Sequence, residues 1–190
     1  MGLIDVERSL VATPVEVLQT RLTATRRRFR ARMDGVRRPS VGLALGSGAA
    51  RGLAHIGVLE VLFRSRIPVD AIVGCSMGAV IGGCYAAGME ASELLEIGMS
   101  IDRREVFRRI DLIVPNRGGL ISGAKMGALL EELTKSRTFE ELRLPFACTA
   151  ADINTGEEVV IEDGLVHEGI RASSSIPGVL QPMMHGGRAL

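Results

Sequence analysis

The residues best placed to do chemistry are Gly74-Cys75-Ser76-Met77-Gly78, a G-x-S-x-G pentapeptide set directly behind the apolar run Val69-Asp70-Ala71-Ile72-Val73. The small-residue stretch Ala79 to Ala87 follows it. A strand, a glycine-flanked serine and a helix together make a tight turn that thrusts the serine hydroxyl out of the backbone, as a nucleophile is presented. Attack on a carbonyl also needs donors for the negative charge that builds on its oxygen. The loop Gly46-Ser47-Gly48-Ala49-Ala50-Arg51-Gly52 could supply them. It follows the short apolar run Val41 to Leu45 and leads into a helix through His55, Val58, Leu59 and Leu62, an order that aims backbone amides at an anion.

Two ligands suit such a loop. A dinucleotide would lay its pyrophosphate there and would want an acidic residue after the second strand. Asp70 comes nearest, but it stands at the start of that strand, and the strand ends at Ser76 instead. Free amides after one strand and an exposed serine after the next, on one carboxyl edge of a parallel sheet, read as an acyl-transfer site. Nucleotide binding through the first loop is kept as the lesser alternative.

The elements that must hold these loops are short and aliphatic. In 190 residues, 46% are hydrophobic but only 3% aromatic, with no Trp, so the core falls to Val, Ile, Leu, Ala and Met, as in buried parallel strands covered by helices. The length suits one domain with a real core. Helices are expected over Ala79–Ala87, through the excursion Gly88–Pro115, over Gly123–Lys135 and over Leu165–Ala172. Strands are expected over Phe146–Ile153 and Val159–Ile161, joined by a turn at Asn154-Thr155-Gly156. Cys75, Cys84 and Cys148 sit in apolar surroundings and read as reduced and structural. No apolar run reaches the roughly 20 residues that span a bilayer, and no secretory signal is visible, so the expected location is cytoplasmic.

The first 40 residues stand apart. They carry nine arginines against four acidic residues, a net +5 that the other 150 residues answer with −4. Thr13-Pro14-Val15-Glu16 has the form of a capping box, and Val15, Leu18, Leu22, Phe29 and Met33 form one helical stripe that Gly35 can end. Arg37 to Ser40 reads as a linker, so the expected division is a basic helical arm over 1–40 and an α/β domain over 41–190. The stripe could pack on the domain or on a second copy of the chain. The arginines could equally hold the helix on the inner face of a membrane. Nucleic acid is a poor fit, with one aromatic residue in the arm and no binding module.

The stretches 42–59 (Gly42-Leu43-Ala44-Leu45-Gly46-Ser47-Gly48-Ala49-Ala50-Arg51-Gly52 onward) and 72–79 resemble the patatin-like phospholipases, most of all the bacterial branch related to neuropathy target esterase. The likeness continues through Gly119-Leu120-Ile121-Ser122-Gly123, Pro145 to Asp152 and Ile170 to Gly178. It implies a three-layer α/β/α fold with a mostly parallel sheet and hydrolysis of acyl-lipid esters by a Ser-Asp dyad, with no cofactor or metal. Carried over by position, Ser76 is the nucleophile in an elbow of Gly74, Cys75, Met77 and Gly78. Ser47, Gly48, Ala49, Arg51 and Gly52 form the oxyanion hole, with Ser47 and Ala49 standing where many members have glycine.

The resemblance also implies a catalytic aspartate in an Asp-Gly-Gly or Asp-Gly-Ala motif shortly after Ile176-Pro177-Gly178, which places it beyond Leu190 and makes the 190 residues a C-terminally incomplete domain. Asp163-Gly164 precedes that landmark and reads as a surface turn. The order Ser76, Asp152, His185 offers a hydrolase triad as an alternative. His55 reads as packed or capping, and His167 has no evident role. A non-catalytic lipid-binding or assembly module is a further alternative, and uncovered apolar surface would favour self-association.

Overall fold

The computed structural model describes residues 23–35, 38–100 and 121–190. The capping box at Thr13, the stripe residues Val15, Leu18 and Leu22, and the charged part of the excursion lie outside them. Three strands, β1 (Gly42–Leu45), β2 (Ala71–Cys75) and β3 (Phe146–Ala151), pair in parallel, and β4 (Glu158–Ile161) adds an antiparallel edge in the order β1-β2-β3-β4. The architecture is α/β with a mostly parallel central sheet, as the resemblance implies. In the register, Leu45 faces Gly74 and Gly74 faces Cys148, so the three parallel strands end on one edge.

Six helices accompany the sheet among the described residues: α1 (Thr23–Met33), α2 (Ala54–Arg64), α3 (Met77–Ala86), α4 (Ala91–Ser100), α5 (Ala124–Thr134) and α6 (Val166–Ser173). Small residues let α3 lie close against the sheet. A Cβ on Gly82 would come within 2.8 Å of Ile72, and one on Gly83 within 2.5 Å of Ile170 on α6. Leu45, Ile72, Phe146 and Ile161 therefore pack with α3 and α6 in one core, where Phe139 stacks on Phe146 at 5.7 Å between ring centroids. A second cluster, Ile56, Leu59, Ile81, Cys84 and Leu94, joins α2, α3 and α4. Each such buried side chain is worth roughly 1.5–3 kcal/mol, so an aliphatic core of this size needs no tryptophan. On the opposite face of the sheet Ala44 is exposed and Val73 and Thr149 are half-buried, while Ala147 beside Val73 is fully buried.

The amino-terminal edge of the sheet is fastened by arginines. Arg28 donates to the carbonyl oxygens of Phe139 and Phe146, and Arg32 donates to that of Arg143 at 2.9 Å, so the described part of the basic helix packs against the domain. Arg27 and Arg30 stay exposed. Arg38, in the expected linker, forms a bidentate pair with buried Asp70 at 2.8 and 2.7 Å, and Asp70 also accepts the Val41 amide at 2.9 Å. The linker is thus tied to the start of both β1 and β2. Asp70 is occupied here, at the end of β2 away from the loops where a nucleotide ribose would lie.

Element boundaries differ from expectation by a residue or two. Strand β2 starts at Ala71 and runs through Cys75, because Val69 and Asp70 belong to the arginine-pinned entry. The excursion contains α4, with Leu94 buried while Leu95 and Met99 are 47% and 80% exposed. The hairpin β5–β6 (Met184–His185 with Arg188–Ala189) was not expected; its turn is Gly186-Gly187, both at positive φ. No helix among the described residues is long and apolar enough to cross a membrane.

Candidate active site

Ser76 leaves β2 at φ 51°, ψ −120°, a conformation that costs a non-glycine residue about 1–3 kcal/mol and persists only when its surroundings enforce it. The two glycines of the pentapeptide make the enforcement possible. A Cβ on Gly74 would lie 2.5 Å from the Ala79 Cα, and one on Gly78 would overlap the Leu45 carbonyl oxygen. Helix α3 can therefore begin at once, with the Ala79 and Val80 amides donating to the Ser76 carbonyl oxygen at 2.8 and 3.0 Å. The Ser76 hydroxyl has no hydrogen-bond partner among the described residues.

The close contact of Gly78 with Leu45 also brings the first loop to the serine. Gly52 is buried and packs so tightly on Met77 that a Cβ there would come within 2.6 Å of its side chain. The amides of Ser47, Gly48 and Ala49 have no acceptor among the described residues, whereas the Arg51 amide donates to the Gly48 carbonyl oxygen at 3.0 Å. Ala49 holds a positive φ of 46°, a second strained non-glycine residue facing the same edge. His55 Nε2–H donates to the Gly46 carbonyl oxygen at 2.9 Å and braces the loop.

The carboxylates and histidines sort themselves clearly. Asp152, buried at the end of β3, accepts the Asn154 amide at 2.9 Å and lies 4.0 Å from Arg188. His185 instead faces Asp163 at 3.7 Å, and Asp163 is 77% exposed in its turn. Among the described residues Asp152 and His185 share no hydrogen bond or ion pair, so the structure does not assemble the Ser76-Asp152-His185 alternative. His167 lines a cavity of about 400 Å³ between α5 and α6, together with Ser122, Gly123 and Arg171. Among the described residues no cluster of His, Cys, Asp or Glu could hold a metal ion.

Two features were not visible in the sequence. The Ser76 amide donates to the Ser173 hydroxyl at 2.9 Å, and Arg171, 5% exposed, donates to the carbonyl oxygens of Ser122 and Gln181 at 2.8 and 3.0 Å. All three cysteines are unpaired; burial pushes the Cys84 thiol up to about 12 and the Cys148 thiol higher still. Exposed apolar side chains, Ile153, Ile176, Val179 and Met184, occupy the segments that follow β3 and α6.

The family model of patatin-like phospholipases matches residues 43–190, which takes in both loops and everything packed on them. The chain belongs to the patatin-like phospholipase family. Its patatin-like relatives include an uncharacterized NTE family protein of Mycobacterium tuberculosis, 36% identical over 159 residues, which cover 84% of this chain and 44% of that protein. A lysophospholipase of Emericella nidulans is 31% identical over 186 residues, 96% of this chain and 12% of that one. The chain thus spans less than half the length of these curated relatives. Among solved structures, the type III effector ExoU of Pseudomonas aeruginosa, crystallised with SpcU, matches 74% of this chain and 39% of its own with a TM-score of 0.56 at 18% identity. At that identity the likeness shows a shared patatin-like fold.

Proposed function

We propose that this chain is an acyl-lipid esterase domain, with Ser76 as nucleophile and the amides of Ser47, Gly48 and Ala49 as the oxyanion hole. The observation that carries the reading is the strained Ser76, its hydroxyl without a partner among the described residues, set against a loop whose amides at 47–49 have no acceptor among them. Ser76 Oγ attacks the ester carbonyl carbon while its proton passes to an aspartate, and the tetrahedral oxygen takes its charge onto the loop amides. Collapse breaks the C–O bond to the alcohol, which leaves with that proton. Water then hydrolyses the acyl-serine by the same steps in reverse. Asp152 accepts the Asn154 amide in the β3–β4 turn, and Asp163 lies in an exposed turn beside His185.

A lipid substrate suits the exposed apolar side chains Ile153, Ile176, Val179 and Met184 in the segments after β3 and α6, and the lysophospholipase relative points the same way. The test is hydrolysis of a short acyl ester of p-nitrophenol by the chain and by its Ser76→Ala form. A rate above background that Ser76→Ala abolishes is the expected result. Equal background rates would remove the enzymatic reading for these 190 residues and leave a lipid-binding module in its place.

A further inference from the structure

Helix α3 does not by itself explain what keeps Ser76 in its strained backbone. Ser76 caps that helix but makes no side-chain capping bond, and among the described residues the one polar contact to its own amide comes from 97 residues away, at the Ser173 hydroxyl. Ser173 is the last residue of α6, and α6 is a rigid mount. Ile170 fills the space left by Gly83, Gly169 fits closely against Phe139 and Ile161, and Ser174 donates back to the Ile170 carbonyl oxygen at 3.0 Å. Just before Ser173, buried Arg171 ties the mount to its surroundings. Its guanidinium donates to Ser122 and Gln181 carbonyl oxygens and, at 2.6 Å, to the Ser175 hydroxyl, whose own proton returns to the Arg171 carbonyl oxygen at 3.0 Å.

We propose that Ser173 is a positioning residue of the active site, its hydroxyl accepting the Ser76 amide so that the nucleophile's oxygen stays aimed at the ester carbonyl. The proposal rests on the acyl-transfer reading above and adds a residue to it. It also divides the labour among the backbone amides. With its N–H committed to Ser173, Ser76 is no donor to the oxyanion, and that task falls to the loop at 47–49, whose amides have no acceptor among the described residues. The geometry has a simple logic: an N–H bond fixes rotation about the peptide that precedes the nucleophile, while the packed glycines Gly74 and Gly78 fix the peptide that follows. A hydroxyl serves because it accepts the N–H without placing a charge beside a developing oxyanion.

Two variants and two readouts test this. Ser173→Ala removes the acceptor, and Ser173→Thr keeps it. Amide hydrogen exchange at Ser76, followed by NMR in the absence of any substrate, should be accelerated at least tenfold in Ser173→Ala and stay slow in Ser173→Thr, with the amides of α3 beyond Val80 unchanged in both. On the p-nitrophenyl ester, kcat should fall about tenfold in Ser173→Ala, the effect of one ordinary hydrogen bond, with KM unchanged and activity restored in Ser173→Thr. Unaltered exchange in Ser173→Ala overturns the proposal, and so does fast exchange with unaltered kcat. If the wild-type chain hydrolyses no faster than Ser76→Ala, it is the acyl-transfer reading that fails, and exchange alone then decides whether Ser173 holds the elbow.

Discussion

Gly57 and Gly78 both lie inside helices, and helix propensity alone would have either one stabilised by alanine, by up to about 1 kcal/mol. The structure separates them. At Gly57, on the exposed side of α2, a Cβ meets nothing within 4 Å, so Gly57→Ala should gain about 0.5–1 kcal/mol. At Gly78 the added Cβ would overlap the Leu45 carbonyl oxygen and lie 2.7 Å from that of Gly46, both backbone atoms that cannot swing away. Helix α3 must then move off the end of β1, at a typical overpacking cost of 1–3 kcal/mol that outweighs the propensity gain. For a chain of this size that is a fall of roughly 2–12 °C in Tm, against a rise of about 1–4 °C for Gly57→Ala. The same movement carries Ser76 away from the loop at 47–49. A displacement near 1 Å costs on the order of a hundredfold in rate, so the loss of ester hydrolysis in Gly78→Ala should far exceed what its stability change explains. Thermal denaturation by circular dichroism and p-nitrophenyl ester kinetics on both variants make the comparison. Equal Tm rises in the two would refute the close contact between Gly78 and Leu45, and with it the account of how the two loops meet.

Other outcomes follow from individual contacts. The Arg38 guanidinium, then the Val41 amide, hold the Asp70 carboxyl below its usual range, so the stability it adds is complete above the ordinary carboxylate pKa of about 4 and is lost as pH falls through the lower folded value. Asp70→Asn should therefore lie below wild type in Tm at pH 7 and converge on it towards pH 3, as scanning calorimetry across that range would record. At pH 8, iodoacetamide should leave Cys84 and Cys148 unmodified in the native protein and label both after unfolding, with mass spectrometry as the readout. Phe139→Ala opens a cavity beneath Gly169 and beside Phe146 and should cost about 3–5 kcal/mol in urea denaturation.

The candidate site was legible where it is written locally. Gly74 to Gly78 and Gly46 to Gly52 are contiguous stretches whose glycines serve their own turns, and the apolar runs before them could only be strands. Their meeting at one edge follows from parallel pairing, which the alternation of strand and helix implies. What escaped the sequence is carried by single polar side chains acting at long range: Ser173 on the Ser76 amide, Arg38 on Asp70, and Arg171 among carbonyl oxygens of distant segments. A serine or arginine has no periodicity to betray its partner. The β5–β6 hairpin escaped for another reason, since its two-residue strands are too short to show any alternation around Gly186-Gly187.

The fastening of α1 to the amino-terminal edge of the sheet has a consequence for orientation. Five residues of β2, roughly 16 Å, separate that edge from Ser76. The charge left exposed on α1, at Arg27 and Arg30, therefore lies at the end of the sheet remote from Ser76, so that an anion met there and a molecule met at the carboxyl edge would be engaged separately.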